Sequence, residues 1–191
     1  MPLPSPGGKV APKGSEEERR NLKVLNSLKT RRSVRAYTDQ QVPDELLDQV
    51  LEAGLYAASG MNNQKVVMVA VRDKETRDYM SRLNAAVMGR DGDPFYGAPC
   101  VIVVLYDPSY FTGKEDASLV LGNLMEAAHA VGLGSCWIHR AYQVFESPEG
   151  KELLKKWGLP ETLTGVGNCI LGYADQQPEA KPRAEGRIVK I

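Results

Sequence analysis

The sequence predicts an α+β fold, with helices interrupted by a few buried strands. Three observations lead there. Val66 to Val71, Val101 to Leu105 and Val166 to Tyr173 are short runs of largely β-branched and aliphatic residues, the pattern of buried strands. Longer stretches between them carry apolar residues at helical spacing. Strands and helices alternate without strict strand–helix–strand order, which favours α+β over a doubly wound sheet.

Each element has a local reason. Ser15 can cap a helix that runs to about Lys29; Glu16, Glu17 and Glu18 suit its positive end, and Leu22, Val24, Leu25 and Leu28 give it an apolar stripe. Pro43 opens a second helix at its first-turn position, with Leu46, Leu47, Val50 and Leu51 as the buried face. Val66 to Val71 reads as a central strand, and Lys74 to about Met88 as a polar helix. Gly89 to Pro99 is a loop, in which Phe95 and Tyr96 either cover a ligand or anchor the loop. Val101 to Leu105 is a second buried strand. Asp116 to Val131 is the most apolar helix, so it is central in its domain or lies at a subunit interface. Gly132 and Gly134 end it, and Cys136 to Ile138 form a short strand. Ser147 and Pro148 start another helix, which stops before Gly158 and Pro160. Val166 to Tyr173 is a further strand, and Arg187 to Ile191 is a candidate extra one.

Composition narrows the function. The chain has 191 residues, 42% hydrophobic and 25% charged, enough for one domain with its own core. Lys plus Arg equals Asp plus Glu at 24 each, so a general affinity for nucleic acid or anionic membrane is not supported. The cysteines Cys100, Cys136 and Cys169 are odd in number, form no CxxC pair and lie in apolar runs, which points to reduced buried thiols in a cytoplasmic protein. Two histidines, His129 and His139, and no HExxH offer no metal site. Residues 1–14 are rich in Pro and Gly, lack the apolar core of a signal peptide, and are expected to be a flexible extension to a single domain over 15–191. No apolar run is long enough to span a bilayer.

Three polar constellations interrupt this scaffold. Lys29, Arg31, Arg32, Ser33 and Arg35 gather cations that repel one another unless an anion answers them, and an Arg fork matches a phosphate; the plain alternative is a solvated helix end. Ser59, Gly60, Met61, Asn62, Asn63 and Gln64 offer donors and acceptors in a row that can read the polar edge of a flat ring; the plain alternative is an ordinary turn. Lys181, Pro182 and Arg183 lie on an extended segment that is otherwise a solvated tail.

Their order resembles the FMN-dependent nitroreductase family. Arg31-Arg32-Ser33-Val34-Arg35 is similar to its RRSxR segment, and Ser59-Gly60-Met61-Asn62-Asn63-Gln64 to its SxxNxQ loop. Gly132 to Trp137 resembles its GxGS(C/A)W segment, and Lys181-Pro182-Arg183 its C-terminal KPR. The likeness runs from roughly Leu22 to Arg187; two departures, Lys65-Val66 in place of Pro-Trp and His139-Arg140 where Gly is common, bear on substrate choice.

The resemblance implies a central mixed or antiparallel sheet flanked by helices, with the C-terminal segment extending onto a partner subunit. It also implies a homodimer with two FMN sites at the interface. Arg31, Arg32, Ser33 and Arg35 of one subunit would hold the phosphate, the ribityl chain and the pyrimidine edge. Ser59, Gly60, Asn62 and Gln64 would come from the other. The backbone at Ile138, His139 and Arg140 would lie near the ring, with His139 a possible substrate contact, and Lys181 or Arg183 would complete the phosphate grip. The implied activity is hydride transfer from NAD(P)H through FMN to a small flat acceptor, such as a nitroaromatic or quinone, in a ping-pong cycle. The flavin carries that chemistry, so no catalytic side chain is assigned. Rival readings are a same-fold flavoenzyme that removes halide or consumes flavin, and a non-catalytic protein that stores FMN or docks a partner.

Overall fold

The computed structural model describes residues 16–191, with side chains from Lys23 onward. The expected extension over 1–14 and the Ser15 cap lie outside the described residues. Helix α1 (Glu16–Thr30) belongs to one unit, and residues 31–191 form a second. On α1, Val24, Leu25 and Leu28 are exposed.

The second unit is built on a four-stranded sheet of β1 (Val66–Val71), β2 (Cys100–Tyr106), β3 (Gly134–Ile138) and β4 (Thr164–Gly172). The order is β1-β2-β4-β3, and every pairing is antiparallel. Neighbours in the sheet are therefore distant in the chain, and β2 and β4 hold the centre. Both are buried on both faces, which explains their continuous apolar runs. Along β2 the side chains alternate between two cores. Val101, Val103 and Leu105 face one, and Cys100, Ile102 and Val104 face the other. Truncating one of these, such as Ile102→Ala, should cost about 2–5 kcal/mol.

Helices α2 (Asp44–Leu55) and α4 (Gly113–Ala130) cover one face. Leu47 and Val50 of α2 meet Ala117, Val120, Leu121, Leu124 and Ala128 of α4 there. The apolar helix is thus central to its unit, and it begins a turn before the expected Asp116. The other face takes α3 (Lys74–Met88), α5 (Ala141–Glu146) and α6 (Pro148–Lys156). Asp73 caps α3 by accepting from Thr76 N at 2.8 Å, and Gly89 ends it at φ 67°.

Four sequence expectations need correction. Val66–Val71 is an edge strand and only half-buried, because β1 pairs with β2 alone. Pro43 stands at the cap position of α2, not inside its first turn. The short α5 was not expected; its six residues carry too little periodicity to stand out. Arg187 to Ile191 forms no strand, and Ile188, Val189 and Ile191 are exposed, so the segment has no partner strand among the described residues.

Candidate functional site

The site begins where the chain leaves α1. Val34 N donates to Ser135 O at 2.9 Å, and Ser33 bridges to Ser135, so the Arg31–Arg35 segment lies against β3. The approach is close enough that a Cβ on Gly134 would meet the Val34 side chain at 3.1 Å. This is a physical reason for that glycine in the sequence motif. Tyr37 Oη donates to Val34 O at 2.8 Å and fixes the far end of the segment; burial pushes its phenol well above the ordinary value.

Arg35 borders a cleft of ≈ 440 Å³ that it shares with Ile138, His139 and Arg140 from the end of β3. The structure thus brings together four of the residues expected at the site. Two consecutive carbonyls of this backbone are held from below by buried amides. Asn168 Nδ2 donates to Ile138 O at 3.4 Å, and Asn84 Nδ2 donates to His139 O at 2.8 Å. Trp137 packs over Gly167 and borders the cleft as well.

The opposite wall is the loop after α3, including Arg90, Asp91, Pro94 and Tyr96. Its form depends on Asp93, which accepts from Arg77 Nη2 at 2.6 Å, Ser81 Oγ at 2.6 Å, Phe95 N at 2.9 Å and Gly97 N at 2.7 Å. Burial alone would raise the Asp93 carboxyl, but these four donors outweigh it and hold it below the usual carboxylate range. Arg77, itself buried, also donates to Ala98 O at 3.0 Å and stacks its guanidinium 5.5 Å from the Phe95 ring. Phe95 is therefore the buried anchor of the loop, while Tyr96, at φ 53°, is exposed and faces the cleft.

The amide loop is built differently. Gly60–Asn62 forms a 3-10 turn between α2 and β1, and Met61, Asn62 and Gln64 all have positive φ. Buried Asp116, in the first turn of α4, holds it by accepting from Gly60 N at 3.0 Å, Asn63 Nδ2 at 3.2 Å and Thr112 Oγ1 at 3.2 Å. Gln64 N donates to Ser59 Oγ at 3.4 Å, and Gln64 Nε2 donates to Asn62 Oδ1 at 2.9 Å. Ser59, Gly60, Asn62 and Gln64 do not line the cleft of their own chain, and neither do Lys181 and Arg183, which are exposed.

Arg31 and Arg32 sit at the start of the segment. Arg32 Nη1 donates to Arg31 O at 2.7 Å. Arg31 Nε lies 3.4 Å from the Glu126 carboxylate, while Arg31 Nη1 is buried with no hydrogen-bond acceptor. A buried guanidinium nitrogen left unpaired is costly and calls for an anion. That orphan donor, with the guanidiniums of Arg35, Arg90 and Arg140 at the cleft, fits a ligand that carries both a phosphate and an electron-accepting ring.

The cysteines lie elsewhere. All three are free and buried, and burial pushes the Cys100 thiol up to about 12 and the Cys169 thiol higher still, so neither is a nucleophile. Arg90, Asp91, Asn84 and Asp116 escape a sequence reading because nothing in their local pattern marks them. Only the Gly- and Pro-rich composition of the loop at Gly89 to Pro99 hinted at a role.

Comparison with known proteins is consistent with this construction. The family model described as "Nitroreductase family" matches residues 28–94 and 88–173, and the chain belongs to that family. It is 31% identical over 177 residues to an FMN reductase [NAD(P)H] of Bacillus subtilis, covering 84% of this chain and 69% of that protein. It is 29% identical over 164 residues to a putative NADH dehydrogenase/NAD(P)H nitroreductase of Methanothermobacter thermautotrophicus, covering 82% and 80%. Its fold matches the crystal structure of a Bacteroides fragilis nitroreductase with bound FMN at a TM-score of 0.82 and 29% identity, covering 88% of this chain and 98% of that one.

Proposed function

We propose that this protein, an NAD(P)H-dependent oxidoreductase that uses FMN, passes electrons to a small flat acceptor such as a nitroaromatic or quinone, with donor and acceptor taking turns at one site. The observation that carries the reading is the cationic cleft of Arg35, Arg90 and Arg140 beside a backbone pinned at Ile138 and His139. Bound FMN supplies the ring that accepts and returns a hydride. The chain supplies the setting. Arg31, with its orphan Nη1, together with Arg32 and Ser33, holds the phosphate and ribityl chain, and Arg35 faces the pyrimidine edge, where positive charge favours the electron-rich form. Lys181 or Arg183 completes the phosphate grip.

The functional unit in this reading is a homodimer. Ser59, Gly60, Asn62 and Gln64 then reach the cleft of a second subunit, because the loop that carries them does not line its own. Leu55, Tyr56, Met61, Phe111 and Leu119 are exposed near that loop, an apolar surface that a lone soluble chain rarely leaves uncovered. The exposed Ile188, Val189 and Ile191 suit the same role as a segment that extends onto the partner. Obligate interfaces of this kind bury roughly 2,000–5,000 Å². Among the described residues no helix is long and apolar enough to cross a membrane.

The test is anaerobic. NADH or NADPH alone should bleach the flavin of the purified protein, a nitroaromatic or quinone should restore its colour, and initial-rate plots should be parallel lines. A bound flavin that neither nucleotide reduces would overturn the reading in favour of FMN storage. Light scattering that finds a stable monomer retaining FMN would remove the dimer.

A further inference from the structure

Arg140 stands in the left-handed region at φ 78°, where a glycine is at ease and a long side chain is strained. Such strain persists only where the surroundings over-determine it, and it gathers at functional positions. Here the surroundings are explicit. Asn84, 1% exposed on α3, donates to His139 O at 2.8 Å and accepts from Arg140 Nε at 3.2 Å. Arg140 Nη2 lies 2.9 Å from Met88 Sδ. One buried amide thus fixes both the turn and the direction of the guanidinium.

Arg140 borders the cleft with Arg35 and Arg90. The cleft's carboxylates are Asp91 and Asp93, and Asp93 is already committed to Arg77. With Arg35 assigned above to the flavin, Arg90 and Arg140 remain against Asp91 alone, an excess of one positive charge. The arrangement is self-repelling until an anion enters. His139 and Tyr96 add flat rings beside the charge, so the cleft suits an anion borne on a planar body.

We propose that Arg140 is a specificity-determining residue that selects an aromatic acceptor bearing a carboxylate or similar anionic group, and that Asn84 positions its guanidinium. The proposal rests on the oxidoreductase reading above. A phosphate of the visiting nucleotide shares this chemistry, so the experiment separates the two sources.

FMN-loaded protein is titrated by calorimetry at low ionic strength with benzoate and with benzamide, which share a ring and differ in charge. Benzoate should bind about tenfold or more tightly, the scale of one charge-assisted contact. Arg140→Gly accepts φ 78° without strain, so it should bring the benzoate-to-benzamide affinity ratio to about one. Arg140→Lys should keep part of it. Asn84→Ala should lower the benzoate-to-benzamide ratio without weakening benzamide, an outcome that a purely structural role would not give. If Asn84→Ala fails to fold, the Arg140 pair decides. Equal binding of the two probes by the native protein would overturn the proposal, as would a ratio unmoved by Arg140→Gly. A loss confined to NADP⁺ in Arg140→Gly, with benzoate untouched, would also overturn it and give the cation to the nucleotide. A protein that takes up no FMN shows no flavin absorbance and fails at the earlier reading instead.

Discussion

The cleft wall at Gly89 to Pro99 and the amide loop at Ser59 to Gln64 are both irregular, polar and rich in turn residues, yet they are held in opposite ways. The cleft wall hangs on a half-buried ionic hub, in which Asp93 gathers four donors and Arg77 reaches back to Ala98 O. The amide loop stores backbone strain in three positive-φ residues and hangs on one carboxylate, Asp116. The first is stiffened by its own chain. The residues of the second do not line the cleft of their own chain. The contrast shows that segments of similar composition can be held by different supports, depending on what lies beneath them.

The comparison breaks hardest at the hub. Asp93→Ala leaves buried Arg77 without its carboxylate, along with Ser81 Oγ and two backbone N–H groups. Removing one partner of a fully buried pair costs 3–5 kcal/mol; the partial exposure of Asp93 scales this to about 2–3 kcal/mol, read as a lower urea midpoint at unchanged slope. The sign with pH follows from its lowered carboxyl. Its contribution is full above the unfolded value of about 3.9 and is lost as pH falls through the lower folded value. Acid unfolding below about pH 4 should therefore be shallower in Asp93→Asn than in the native protein.

Next in size is the loop's single support. Asp116→Ala removes a charged acceptor from Gly60 N, Asn63 and Thr112. About 1.5–3 kcal/mol is at stake. In a dimeric site much of it should appear as weaker FMN binding, measured by fluorescence quenching titration. A full loss of stability with FMN affinity intact would place the loop outside the site.

Arg31→Ala and Arg35→Ala test the cofactor grip proposed for the Arg31–Arg35 segment. Each should weaken FMN about tenfold to a hundredfold. Unchanged affinity in both single variants would sink the assignment, and a loss only in the double variant would indicate redundant contacts.

Smaller effects sharpen the picture. A Cβ on Gly60 would collide with Thr112 Oγ1 and come within 2.9 Å of Thr112 Cγ2. Gly60→Ala should cost about 1–2 kcal/mol, because Thr112 also donates to Asp116 and cannot turn away freely. Met61→Gly removes a side chain from φ 52° and should change thermal stability by less than about 1 kcal/mol. A large loss there would mean that the Met61 side chain is covered in the assembled protein.

Much of this was legible locally. Val66 to Val71 and Lys74 to Met88 stand at the boundaries their residues predict, because side-chain period and capping act over a few residues. The fold class followed from the alternation of strand and helix patterns, and the cofactor chemistry and the family from the order of short motifs. The direct neighbourhood of Arg35, Ile138, His139 and Arg140 could be expected from the same order. Tertiary structure alone decided that β1 is an edge strand and that the final residues find no strand to pair with among the described residues. It alone put Asn84 beneath Arg140, Asp93 beneath the cleft wall and Asp116 beneath the amide loop. Each of those supports is a polar side chain on or beside a helix, with nothing in its local sequence to separate it from a solvated one. What distinguishes them is burial against a segment far away in sequence, where an unpaired donor is costly and a single well-aimed carboxylate or amide fixes a whole turn.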